Sequence, residues 1–389
     1  MPDELNSEHA IELVPPQLQE PEDDRPSEGQ IVKPFDPTKI RVETQTKTID
    51  NLVSRMEHGE IVLQPEFQRA EVWQDAARSR LIESILIRIP LPAFYMDATE
   101  DDRWIVIDGQ QRLSSIRRFV IENSLRLSNL EFLTELEGLT LDELPQSLKR
   151  RIRETNVTVY LVEQGTPPEV KFNIFRRINT GGLPLSPQEI RHALNQGKAT
   201  KLLKELAESD AFLDATAHSV SPLRMADREC VLRFLAFVLN DPENYSALEF
   251  DGFLSQVMGH LNAMPEMDIA KLRMHFEVSM RRAHQLLGPY AFRKRTSMNP
   301  HDRRQPINKA LFEAWSVNLG AISEPEMSRL RNRQKELASK FVTLMNDASF
   351  MNAVSQGTGD IKKVQMRFRE IRQIISEVLR DQTVTHQEL

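Results

Sequence analysis

Between residues 104 and 120 the chain changes its hydrophobic rhythm. Trp104-Ile105-Val106-Ile107 is an unbroken apolar run, Asp108-Gly109-Gln110-Gln111-Arg112 is a polar turn, and Leu113, Ile116 and Val120 then recur at i, i+3 and i+7. The run predicts a buried strand, Asp108-Gly109 its break, and the recurrence one face of a helix. Similar patterns surround this junction. A short strand from Ile40, a helix near Ile49–His58 ended by Gly59 and a strand at 61–63 come first. An extended polar segment at 64–69 leads to a helix capped by Asp75, with Leu81, Ile82, Ile85 and Leu86 as its buried stripe and Pro90 and Pro92 as its stop. Phe94-Tyr95-Met96 predicts a strand that an acidic turn at 100–102 separates from the Trp104 strand. Residues 148–153 read as helix, 157–162 as a β-branched strand, and Pro167-Pro168 opens a helix carrying Val170, Ile174, Phe175 and Ile178.

Strand signals then fade. Ser186-Pro187-Gln188-Glu189 is a capping-box helix start with Gly197 as the stop, Leu223–Leu239 reads as one long helix, and helical periods cover roughly 246–263, 267–287, 305–319, 323–347 and 359–380. The expected fold is α+β: an acidic disordered tail over 1–36, a small mixed domain over 37–185 and an all-helical domain over 186–389.

Charge changes the picture only at the N-terminus. Residues 1–30 hold nine acidic residues against Arg25 alone, so removing their −8 from the chain's −7 leaves +1 for residues 31–389. That segment, with Pro15, Pro16, Pro21 and Pro26 and little periodicity, reads as a solubilising tail or as an inhibitory mimic of nucleic acid. No apolar run reaches the ~18 residues of a membrane span, and the N-terminus lacks a signal-peptide pattern. A soluble, cytoplasmic protein without membrane partners is expected. The lone Cys230 excludes an intramolecular disulfide and reads as a buried inert thiol, and the nine histidines show no zinc-ligand spacing.

Three polar clusters set Arg beside amide side chains: Gln68-Arg69, Asp108 to Arg112, and Arg176-Arg177-Ile178-Asn179-Thr180. Arg and free helix N–H groups suit phosphate, and Gln or Asn suits a base edge. The bland alternative is a set of solvated turns, with Asp108 and Gln111 forming a capping box. A second candidate lies in the helical half, where Arg281, Arg282, Arg293, Lys294, Arg295, Arg303 and Arg304 gather among few acids, as a DNA-backbone patch would.

The ordered motifs Gln-Pro-x-Phe-Gln-Arg (64–69) with Trp73, Ile-Pro-Leu-Pro (89–92), Ile-Asp-Gly-Gln-Gln-Arg-Leu (107–113) and Phe-x-x-Ile-Asn-Thr-Gly-Gly-x-x-Leu-Ser-x-x-Glu-Ile (175–190) resemble the GmrSD-type restriction endonuclease N-terminal domain family, domain of unknown function 262, related to the ParB/sulfiredoxin fold. The resemblance covers about residues 40–240. It implies binding, and often hydrolysis, of a nucleoside triphosphate with Mg²⁺, used in bacterial antiviral defence to license cleavage of modified or foreign DNA. Carried over, Asp108, Gln111 and Arg112 are the catalytic set, with Asp108 also the Mg²⁺ contact; Gln68, Arg69, Gly109, Gln110, Asn179 and Thr180 line the nucleotide pocket.

Two-part members of that family end in a His-Asn-His nuclease domain, and the last two hundred residues here hold no such set. The expectation is therefore a nucleotide-dependent sensor or regulatory subunit that binds DNA and acts with a separate nuclease, with a homo-oligomer left open. The competing classes are a non-hydrolysing ParB-like DNA-binding or scaffold protein, which phosphate-release turnover separates, and a self-sufficient metal-dependent nuclease. Sulfiredoxin chemistry is not expected, since positions 108–112 lack cysteine.

Overall fold

A computed structural model describes residues 41–63, 73–100, 102–178, 185–247 and 249–380. The acidic tail lies outside the described residues. A five-stranded mixed sheet runs β1 (Val42–Thr48), β5 (Asn156–Glu163), β3 (Phe94–Glu100), β4 (Arg103–Asp108) and β2 (Ile61–Val62) in spatial order. The β1–β5 and β3–β4 pairs are antiparallel, and the β5–β3 and β4–β2 pairs parallel.

Alternation along the strands gives the sheet two unlike faces. Phe94, Met96, Trp104, Val106, Val157, Val159 and Leu161 point into a core with helices α1 (Ile49–Glu57), α2 (Asp75–Leu86), α3 (Gln110–Ile116) and α4 (Gln146–Glu154), where Leu52, Ile82, Leu113 and Ile152 are fully buried. The opposite face carries Ile107 and Val162 against Phe172 and Phe175 of α5 (Pro168–Ile178) and Ile190 of α6 (Pro187–Leu194). Thr48 caps α1 by accepting from the Asn51 N–H at 3.2 Å.

From α6 onward the described residues are helical: α7 (Lys198–Ala207), α8 (Asp210–Thr216), α9 (Ala226–Leu239), α10 (Phe250–Ala263), α11 (Glu266–Leu287), α12 (Lys309–Gly320), α13 (Glu324–Asn332), α14 (Gln334–Met345), α15 (Ala348–Ser355) and α16 (Ile361–Arg380). They share one core around Phe234, Phe276, Phe312 and Trp315.

Several expectations need correction. Asp75 begins α2 rather than capping it; Gln74 holds the cap position, and Asp75 takes an ion pair from Arg118 at 2.8 Å. The helix ends at Leu86, ahead of the prolines, where Arg88 turns the chain at φ +65°. Gly197 precedes α7 instead of ending α6. The 223–239 helix is broken because Arg224 and Met225 adopt left-handed backbone, φ +57° and +58°, and the 323–347 period splits at Arg333. Helices α7, α8 and α15 were not foreseen.

Candidate functional site

The junction expected at residues 104–120 exists, and Gly109 makes it possible. Strand β4 stops at Asp108, Gly109 turns at φ +95°, and its carbonyl accepts the Leu113 N–H at 2.9 Å as α3 begins. A Cβ placed on Gly109 would lie 2.4 Å from Phe94 Cδ1, so both the backbone angle and the packing demand glycine. Beyond Ile116 the helix widens into a π turn over Arg117–Ile121, keeping Phe119 and Val120 buried.

The capping-box reading of Asp108 and Gln111 fails. Gly109 occupies the cap position and brings no side chain of its own to the first turn. Asp108 Oδ2 instead accepts from Arg112 Nη2 at 2.8 Å, and the Asp108 side chain remains 35% exposed. Gln111 Oε1 is buried without a hydrogen-bond partner, while Gln110 is half-buried and engaged.

Arg112 is a tether, which departs from the free phosphate ligand expected of it. Its guanidinium donates through Nη1 to the Pro92 carbonyl and through Nη2 to the Ala93 carbonyl at 3.2 Å, and it lies 4.6 Å from the Phe94 ring centre. Burial lowers its pKa, with Asp108 acting in the opposite direction. A planar fork that reaches two carbonyls and a carboxylate at once locks the entry to β3 onto the start of α3.

Neighbouring groups that pattern reading missed complete the surroundings. Tyr95 pairs with Asp108 across β3–β4 and stacks on Tyr160 with ring centres 4.7 Å apart. Its phenol is pushed up by burial first, then by Tyr160 and Asp108. Two residues along the same strand face, Asp97 receives Lys171 Nζ at 3.0 and 3.1 Å, and Thr99 bonds to both of them. Asp97 and Lys171 are buried, so this pair fastens α5 to the sheet. The detectable signal was a charged residue within each apolar stretch, Asp97 in 94–100 and Lys171 in 170–175. Arg78 fixes the α2 approach, donating to the Trp73 carbonyl at 2.8 Å and to Ser114 Oγ at 3.3 Å.

Gln68, Arg69, Asn179 and Thr180 lie outside the described residues, so the structure gathers only the 108–112 part of the expected pocket. Among the described residues no group of three or more His, Cys, Asp or Glu side chains could hold a metal ion. Asp108 offers a single carboxylate, which fits Mg²⁺ shared with a polyphosphate, since that ion takes one or two carboxylates and fills its shell with phosphate and water oxygens.

The basic segment of the helical half divides. Arg293, expected to contact DNA, is 4% exposed; it donates to the Gln305 carbonyl, the Thr216 carbonyl at 3.3 Å and Ser219 Oγ, and burial with Arg304 lowers its pKa to about 10. It is a structural clasp. Arg282 is buried likewise, bonded to the Leu319 and Gly320 carbonyls. Lys294 and Arg295 are half-buried, the latter lying 4.1 Å from the Tyr290 ring centre, and Arg303 and Arg304 are exposed. Cys230 is fully buried, which pushes its thiol up to about 12.

The model of the family described as GmrSD restriction endonuclease, N-terminal domain, matches residues 49–195, a span that runs from the first residue of α1 to the residue after α6. No curated protein and no solved structure matches the chain. No helix among the described residues is long and apolar enough to cross a membrane.

Proposed function

We propose, from the match of residues 49–195 to the GmrSD restriction endonuclease N-terminal domain family, that the chain serves a DNA restriction system as its nucleotide-binding and nucleotide-hydrolysing regulatory component. The observation that carries this reading is the start of α3. Gly109 holds the cap position without a side chain to offer the first-turn N–H groups, directly beside the part-exposed carboxylate of Asp108. The N–H groups of a helix start and the helix dipole attract an anion there.

The geometry supports the following roles. The Gln110 and Gln111 amides bind phosphate oxygens, and Asp108 would hold Mg²⁺, which would offset phosphate charge. Arg112 keeps Asp108 oriented and places a desolvated cation behind the junction; it does not wrap the phosphate. The Gln111 side chain, with its unpaired buried carbonyl oxygen, positions water or a ligand hydroxyl. Arg303 and Arg304 supply DNA-backbone contacts from the loop between α11 and α12, and cleavage falls to a separate nuclease chain. The engagement of Arg112 also favours a second reading, in which nucleotide is bound without turnover.

The test is phosphate release from each ribonucleoside triphosphate with Mg²⁺, with and without DNA, beside calorimetric binding, for wild type and Asp108→Asn. Turnover that Asp108→Asn removes while the fold persists supports hydrolysis. Binding without turnover selects the second reading, and absence of binding by wild type overturns both.

A further inference from the structure

Phe132 is 67% exposed, yet the turn that carries it is held firmly. The buried Glu83 carboxylate sits beneath, accepting the N–H groups of Glu131 at 3.0 Å, Phe132 at 2.7 Å and Leu133 at 2.8 Å. Ser79 Oγ accepts the Ser128 N–H at 3.0 Å and Glu137 Oε1 the Leu130 N–H at 2.9 Å. An aromatic ring presented on so braced a backbone loses little freedom on docking, the property of an interface anchor. Its surroundings are acidic: Glu131, Glu135 and Glu137 are exposed, with Arg80 paired to Glu131 at 3.3 Å. That sign repels nucleic acid.

On the helical half, α15 and α16 border an open hollow of about 410 Å³ lined by Ala348, Ser349, Asn352, Lys362, Lys363 and Met366. Ala348, Met366 and the lysine stems make it apolar, and the two ammonium groups make it positive. The nearby acids Asp347 and Asp360 are occupied at helix starts, accepting the Phe350 N–H at 2.8 Å and the Lys363 N–H at 3.2 Å.

We propose that the chain self-associates head to tail, with Phe132 of one copy entering the α15–α16 hollow of a second and the acidic turn meeting Lys362 and Lys363. The two surfaces differ, so every added copy leaves a free turn at one end and a free hollow at the other. This contact is independent of the nucleotide reading.

Sedimentation equilibrium of the full chain tests it. Wild type is expected above its 44.8 kDa monomer mass, less so as salt rises. Phe132→Ala, and separately Lys362→Glu combined with Lys363→Glu, each weaken association by roughly tenfold or more. Each variant keeps one intact half, so mixing the two restores pairs but not longer assemblies, which a misfolded variant would not do. Monomer mass at the highest concentration reached, assembly indifferent to either change, or failure of the mixed variants to pair overturns the proposal.

Discussion

Gly109 and Arg112 show how much of the candidate site is backbone architecture. Gly109→Ala forces a side chain into left-handed backbone and against Phe94, so a stability loss of about 1–3 kcal/mol is expected, measured by urea unfolding. Arg112→Ala leaves the Pro92 and Ala93 carbonyls and Asp108 without their shared donor and is expected to cost about 3 kcal/mol, with Arg112→Lys recovering only part. Loss of activity in Arg112→Ala alone would therefore report folding as much as chemistry. Asp108→Asn is the cleaner probe because it keeps an acceptor for Arg112. The strand-to-helix change at 108–112 was legible in its residue types. The destination of the Arg112 fork was not, because its partners lie twenty residues upstream in a proline-containing segment whose pattern carries no sign of them.

At the scale of elements, signals confined to a few neighbouring residues fared unevenly, the Asp75 cap and the Gly197 stop failing where the next one held. The Ser186–Glu189 box forms as expected, with Ser186 Oγ accepting the Glu189 N–H at 3.1 Å and Glu189 accepting the Ser186 N–H. Ser186→Ala is expected to cost about 1 kcal/mol or somewhat more, since the same hydroxyl donates to the Arg224 carbonyl at 2.8 Å and so joins α6 to the break before α9. That break escaped the pattern because left-handed backbone at Arg224 and Met225 is imposed by tertiary contacts without the glycine that usually marks it. Helices α7, α8 and α15 were missed for a related reason: they span at most ten residues and depend on packing more than on intrinsic propensity. Glu83 gives an element-scale prediction of the opposite kind, a carboxylate acting across the sequence. Burial alone would raise its pKa, but three backbone N–H groups hold it below the usual carboxylate range. A depressed folded pKa means its stabilisation is present above the unfolded value and lost as pH falls through the folded one. Glu83→Gln should thus be less stable at neutral pH and lose less stability on acidification below about pH 4.5, a comparison that urea midpoints across the acid range provide.

Across the whole molecule, α6 is where the sheet-bearing half meets the helical half, and a buried ionic network spreads from it. Arg191 on α6 donates to Asp251 at 2.6 Å; Glu229 is shared by Arg233 at 2.9 Å and Lys309 at 3.0 Å; Glu313 receives Arg233 at 3.5 Å and also Arg367. Such a network stays stable only while every charge has its partner. Beside Arg191 on the same helix, His192 is 6% exposed, and burial first, then the charge of Arg228, lowers its pKa from 6.5 to about 3. The folded protein therefore refuses a proton that the unfolded chain accepts. Its contribution is complete above the unfolded value and declines as pH falls below it, by at most about 1.4 kcal/mol per pH unit. His275 on α11 is lowered as well, by burial and Arg282. His192→Asn should consequently flatten only part of the stability loss between about pH 6.5 and 5, and adding His275→Asn should flatten more. Urea unfolding of wild type and both variants across that interval measures the slopes; an unchanged slope in His192→Asn would mean that the α6 junction already admits a proton, and with it water, in the folded state.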